Sequence, residues 1–270
     1  GMADDRFQLD ALTKLAGQAL AAGILLIYGI QILWLPINGV ITLPPSIGQL
    51  VTVLIVLVTI NAVNFIDGLD GLAAGIVAIA GAAFFTFAYL LAVVWGFSRA
   101  GAPSLMTAVL IGICLGFLPH NSHPARIFMG DSGSMFLGLL LASAAITLTG
   151  QVDPNAISAV EAGPTLLPLL LPFAVLAIPL ADLVLAISRR LRAGRSPFAP
   201  DKDHLHHRLL SAGNSHVRTA VIMYLWTATL AFPITISAFA PMWVALLTAA
   251  VLATITIVVT RTGKKDSVYV

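Results

Sequence analysis

Leu72-Ala73-Ala74-Gly75-Ile76-Val77-Ala78-Ile79-Ala80-Gly81-Ala82-Ala83-Phe84-Phe85-Thr86-Phe87-Ala88-Tyr89-Leu90-Leu91-Ala92-Val93-Val94-Trp95 carries no charged side chain. A run of this kind exceeds the roughly 20 residues that a helix needs to cross the hydrocarbon of a bilayer. Polar and apolar residues do not alternate in it, and a helix satisfies its own backbone in lipid, so a transmembrane helix is expected rather than a barrel strand. Seven further windows read the same way: 15–35, 47–66, 103–119, 133–150, 164–187, 219–240 and 242–259. The fold class expected is therefore all-α, a polytopic transmembrane bundle of eight helices forming one integral membrane domain over 1–270.

Composition agrees. The 270 residues are 59% hydrophobic and 10% charged, too few charges to cover a water-soluble core of this size. Cys114 is the single cysteine, which excludes a disulfide framework and a CxxC metal knuckle. The first ten residues are acidic, unlike a cleavable signal peptide. No nucleic-acid partner is expected. If the chain starts in the cytoplasm, alternate loops place 13 of the 14 Lys and Arg residues inside and leave only Arg99 outside. That asymmetry predicts cytoplasmic termini, with the polar loops at the cytoplasmic membrane boundary. Asp4, Asp5, Asp10, Asp67, Asp70, Asp131, Asp201 and Asp203 fall on the same side.

Three loops hold the polar chemistry. In 60–75, Asn61 and Asn64 precede Asp67-Gly68-Leu69-Asp70-Gly71, two carboxylates three apart that a helical turn directs to one side. An ordinary polar turn is the bland alternative. In 119–134, Asp131 lies among small residues at the start of a helix, where it could simply be an N-cap. Asp131, Asn64 and Asp67 together are hard oxygen donors suited to Mg²⁺, with Mn²⁺ as the alternative ion. The third loop, 188–218, is expected to be long and cytoplasmic, with His204, His206, His207 and Arg208 at its centre. Zinc is a competing reading, but no cysteine accompanies these histidines, and a donor cluster beside Arg208 suits a diphosphate. The run Arg189, Arg190, Arg192 and Arg195 reads as a topology anchor. Asp182 is the one charge inside any window, so it should face a cavity or pair with Arg189.

Asn61–Ala73, Phe128–Ser134 and His204–Leu209, with the acidic Met2–Asp10 stretch followed by Lys14-Leu15, resemble the signature loops of polyprenyl-phosphate N-acetylhexosamine-1-phosphate transferases nearly end to end. The His-x-His-His-Arg motif is similar to the branch that transfers N-acetylglucosamine-1-phosphate (WecA and TagO type), and differs from the phospho-muramoyl-pentapeptide branch. The resemblance implies transfer from a UDP-N-acetylhexosamine to undecaprenyl or decaprenyl phosphate, with release of UMP. It also implies Asp131 and Asn64 as Mg²⁺ ligands, with Asp67 and Asp70 lining the metal and nucleotide site and Asp4 and Asp5 near the lipid phosphate. Asn121 and Phe128 match positions that hold uracil, a flat ring stacking on the base beside an amide that reads its edge. His204, His206, His207 and Arg208 would grip the diphosphate or sugar. Members of this branch carry further helices before the acidic motif, so the chain is expected to lack them and, alone, to insert but turn over poorly. A homodimer is a further expected arrangement. A transporter of an anionic metabolite is the rival from another class, but it would favour a midplane site and repeated halves.

Overall fold

The computed structural model describes residues 1–7, 9–35, 41–94, 96, 100–151, 174, 177–194 and 205–262. Their elements, in chain order, are α1 (Met2–Phe7), α2 (Ala11–Ile27), β1 (Trp34–Leu35), β2 (Ile41–Thr42), α3 (Pro45–Ile66), α4 (Leu72–Val94), α5 (Gly101–Asn121), α6 (Gly130–Gln151), α7 (Ala177–Arg192), α8 (Leu205–Ser211), α9 (His216–Ser237) and α10 (Met242–Thr262). Six of them, α3, α4, α5, α6, α9 and α10, are long and apolar enough to cross a membrane.

The expected helix over 15–35 is corrected. Helix α2 stops at Ile27, because Gly29 adopts a left-handed φ of 75°. The amides of Ile30 and Gly29 close on the carbonyls of Leu25 and Leu26, a Schellman ending. The chain beyond it forms an antiparallel two-residue ladder, Trp34 opposite Thr42 and Leu35 opposite Ile41. The 164–187 window falls partly outside the described residues. Nor is 188–218 loop throughout, since α7 runs on to Arg192, and α8 and the start of α9 lie within it.

The uncharged run that begins at Leu72 forms α4, the central helix. Its Val77, Phe84, Phe87 and Leu91 pack with Leu110 and Cys114 of α5 and with Leu141 and Leu148 of α6. A second cluster joins Ile66, Leu69, Leu72 and Ile76 to Ala220 and Met223 of α9, with Leu205 and Leu209 of α8 against it. It seats the turn between α3 and α4 on the last third of the chain. Helix α10 lies at the rim, with Trp243, Leu246 and Leu247 exposed. Lipid covers such residues at no cost, whereas polar groups inside the bundle need partners. Accordingly Thr52, Thr107, Thr149 and Thr227 return their hydroxyls to carbonyls one turn back.

Helices α3 and α6 approach closely at Gly138, where a Cβ would lie 2.7 Å from the Ile60 Cα. That contact brings the C-terminal end of α3 beside the N-terminal end of α6.

Candidate active site

Asp67 occupies the C-cap of α3, and Asp131 stands in the first turn of α6. One turn before Asp67, Asn64 donates from Nδ2 to Asp131 Oδ1 and to Ser134 Oγ, both at 2.9 Å. Among the described residues its side-chain oxygen, Oδ1, accepts no hydrogen bond and is left for an electron-poor ligand. Asp5 reaches across from α1 to the start of α6, accepting the amides of Asp131 at 2.8 Å and Ser132 at 2.9 Å, as well as the Ser132 hydroxyl. Asp5 is thus the cap of α6, a part that the sequence offered to Asp131 itself. The Ser132 hydroxyl above all, against some desolvation and with help from the two amides, holds the Asp5 carboxyl below its usual range. Gly130 adopts a φ of 64°, and a Cβ there would come 3.1 Å from Asp5 Oδ1, so glycine lets α1 close on this turn.

Asp4 is buried. It accepts the Leu9 amide at 2.8 Å and pairs with Lys14 at 2.5 Å, and the same ammonium reaches Asp131 Oδ2 at 2.9 Å. Lys14 therefore sits as a cation between two carboxylates. Its signal in the sequence was a lone lysine at the start of an apolar helix, next to an acidic stretch. Asp67 is pushed up to about 7, first by burial and then by the negative charges of Asp131 and Asp5.

This surplus of carboxylate, together with the free amide oxygen of Asn64, fits a hard divalent cation. No three carboxylate, imidazole or thiolate groups among the described residues converge as a ready-made ion cage. Mg²⁺ does not require one, because it keeps several waters and binds through one or two carboxylates plus substrate phosphate.

Asp70 lies apart from this cluster. Its Oδ2 accepts the Ala125 amide at 3.1 Å and meets His123 Nδ1 at 2.9 Å. Partial burial opposes its ionisation, but the His123 ring, the Ala125 amide and the nearby histidine charge hold its carboxyl below the usual range. Asn121 is buried and uses both ends of its amide on backbone: Oδ1 accepts the Gly71 amide at 3.0 Å, and Nδ2 donates to the Ile127 carbonyl at 2.9 Å. Phe128 is 75% exposed. Asn121 thus ties the two loops together, next to Phe128 in the chain through its bond to Ile127.

Of the histidine motif, His204 lies outside the described residues. His206 is buried, its ring against Gly68, where a Cβ would meet Nε2 at 2.5 Å. His207 stands beside it, the ring centroids 4.3 Å apart, and Arg208 is exposed. Asp182, fully buried, accepts the Leu205 amide at 2.8 Å and so fixes the start of α8. The sequence had weighed Asp182 against Arg189, and the contact to Leu205, 23 residues on, carries no local signal. Also absent from the sequence reading are His216, stacked on His123, and Tyr224, whose hydroxyl donates to the Gly71 carbonyl at 2.5 Å.

This arrangement has named relatives. Over 237 residues the chain is 45% identical to the decaprenyl-phosphate N-acetylglucosaminephosphotransferase of Mycobacterium tuberculosis, covering 86% of this chain and 59% of the relative. The protein of the same name from Mycolicibacterium smegmatis is 46% identical over 237 residues, 86% of this chain and 58% of the relative. A probable undecaprenyl-phosphate N-acetylglucosaminyl 1-phosphate transferase of Bacillus subtilis is 38% identical over 120 residues, 44% of this chain and 30% of the relative. The chain thus spans less than two thirds of the length of these relatives. The family model for glycosyl transferase family 4 matches residues 1–149. That match takes in more than half of the sequence and contains Asp4, Asp5, Asn64, Asp67 and Asp131, so the chain belongs to glycosyl transferase family 4.

Proposed function

We propose that this chain carries the site at which N-acetylglucosamine-1-phosphate passes from UDP-N-acetylglucosamine to a polyprenyl phosphate, undecaprenyl or decaprenyl, as the first membrane step of a cell-envelope glycopolymer. The observation that supports this most directly is the meeting of Asp4, Asp5, Asn64, Asp67 and Asp131 from three separate stretches at the ends of apolar helices, with Lys14 between Asp4 and Asp131. A lipid phosphate and a water-soluble nucleotide sugar can meet only at such a boundary. A transporter would favour polar groups at midspan.

In the proposed reaction an oxygen of the acceptor phosphate bonds to the sugar-bearing phosphorus of the donor. The bridging P–O bond breaks, and its electron pair leaves with UMP. The acceptor phosphate is largely ionised near pH 7, so no strong general base is required. Asp131, Asn64 and Asp67 would hold Mg²⁺, or Mn²⁺ in its place. When bound, such an ion neutralises phosphate charge and polarises phosphate oxygens. Asp4 and Asp5 fix the acceptor side through Lys14 and the start of α6. Asn121, Phe128 and Asp70 serve the nucleotide, and His204, His206, His207 and Arg208 serve the diphosphate and sugar, where donors act on the charge that develops on the leaving group. Eight passes, both termini and these loops in the cytoplasm of a bacterial plasma membrane, and a homodimer complete the proposed arrangement.

The test is competition between donors in membranes bearing the intact protein, with mass analysis of the lipid product. UDP-N-acetylglucosamine should exceed UDP-N-acetylmuramoyl-pentapeptide at least ~10²-fold in kcat/KM, about 2.7 kcal/mol. A dominant muramoyl-pentapeptide lipid would overturn the choice of donor, and an absence of UMP release with either donor would overturn the reading.

A further inference from the structure

Asp70 and Gly71 are held by the 119–129 segment on one side and by α9 on the other. Asn121 takes the Gly71 amide, Tyr224 of α9 takes the Gly71 carbonyl, and the Ala125 amide and His123 both use Oδ2 of Asp70. The His123 ring in turn stacks on His216, the first residue of α9, with centroids 4.6 Å apart and planes 24° from parallel. Among the described residues, Oδ1 of Asp70 accepts no hydrogen bond. The carboxylate is therefore fixed through one oxygen, and the other is left as an acceptor.

We propose that His123, backed by His216, is a positioning residue for the nucleotide end of the donor, an inference that rests on the UDP-sugar reading above. An aspartate side chain turns freely about its last bond unless one oxygen is tied, and a free rotor exchanges its two acceptors. The Nδ1–H of His123 ties it. Stacking against His216 stops the imidazole from swinging away. The same contact holds the Ala125 turn, and Phe128 follows three residues later, so ring and carboxylate keep a fixed relation. Neither histidine touches the Asp4, Asp5, Asp67 and Asp131 cluster, and the pair should affect donor binding rather than the chemical step.

The experiment measures KM and kcat separately for UDP-N-acetylglucosamine and for polyprenyl phosphate, with titration of UDP as a binding probe, on the intact protein. His123→Ala should raise the donor KM and the UDP Kd about tenfold, the scale of one hydrogen bond to a charged group. Its kcat and lipid KM should stay within about twofold of wild type. His123→Asn should recover most of the loss, because its amide N–H can replace Nδ1–H. His216→Ala should shift the donor KM the same way by a smaller factor, and His216→Phe, which stacks without a ring nitrogen, should restore it. An unchanged donor KM in His123→Ala, a loss confined to kcat, or an Asn variant as poor as Ala would overturn the inference. Wild-type protein that neither releases UMP nor binds UDP would overturn the donor reading, and the positioning role with it. The two failures are distinguishable, since one appears in the wild type and the other only in the variants.

Discussion

Gly138→Ala should damage the active site from two turns away. The new methyl would lie 2.7 Å from the Ile60 Cα, 3.2 Å from the Thr59 carbonyl oxygen and 3.3 Å from the Ile60 amide nitrogen, all of them backbone atoms that no rotamer change can move. Carbon atoms prefer roughly 3.5–4 Å, so α3 and α6 must part by about 1 Å at this level. One turn onward the same two helices carry the 2.9 Å contacts from Asn64 to Asp131 and Ser134. Overpacking costs about 1–3 kcal/mol, less the roughly 0.5–1 kcal/mol that alanine gains over glycine in a helix. Misplacement of reacting groups by about 1 Å lowers transfer by up to ~10²-fold. Gly116→Ala is the control, because nothing lies within 4 Å of its Cβ and it faces outward from α5. Thermal unfolding in detergent and UMP release should both fall for Gly138→Ala and stay at or above wild type for Gly116→Ala. Wild-type activity in Gly138→Ala, or equal damage in both variants, would refute the claim that the α3–α6 approach sets the site.

Asp182→Ala should cost about 1–3 kcal/mol by stranding the Leu205 amide and should speed tryptic cleavage at Arg208, while Asp182→Asn, which still accepts a hydrogen bond, should lie near wild type; equal cleavage in the two variants would exclude the capping role. Asp67 in the fold binds a proton up to about 7, well above its ordinary 3.8, so without divalent ions stability should decline as pH rises through the interval from about 4 to about 7. Mg²⁺ bound at Asp67 would displace that proton, so its stabilising effect should grow from pH 6 to pH 8, and Asp67→Asn should flatten both trends in thermal-shift measurements. A Mg²⁺ effect equal at the two pH values would remove Asp67 from the ion site.

The spans could be read from the sequence because length and apolarity alone decide them in lipid, as in α4. The end of α2 could not, because Gly29 interrupts a run whose hydropathy continues to Leu35, and φ leaves no mark in composition. Asp4, Asp5, Asn64, Asp67 and Asp131 stood out as polar residues at the edges of apolar windows, where a bare charge is costly. What the sequence concealed was partnership. Lys14 meets Asp131 across 117 positions, and Asp70 turns to His123 across 53 rather than sharing a site with Asp67. His206 was read as one of four donors in a loop, yet Gly68 gives its ring a buried seat. Such pairings arise from helix packing, and periodicity along one helix does not report them.

In the proposed reaction the Asp131 carboxylate, with Asn64 and Asp67, completes an ion site for phosphoryl transfer to a lipid phosphate. This role is tested most directly by single-turnover transfer from labelled UDP-N-acetylglucosamine to polyprenyl phosphate, comparing wild type with Asp131→Asn in Mg²⁺. The substitution keeps an acceptor for Asn64 Nδ2, and Lys14, though it loses Asp131, keeps its ion pair with Asp4, so the fold should survive and thermal unfolding should move little. Wild type should form UMP and the lipid-linked diphosphate sugar in equal amounts, and Asp131→Asn should fall about 10²–10³-fold or more, the scale of one lost electrostatic contact at a reacting phosphate. Folded Asp131→Asn protein that keeps more than about a tenth of wild-type transfer, less than one such contact is worth, would contradict it.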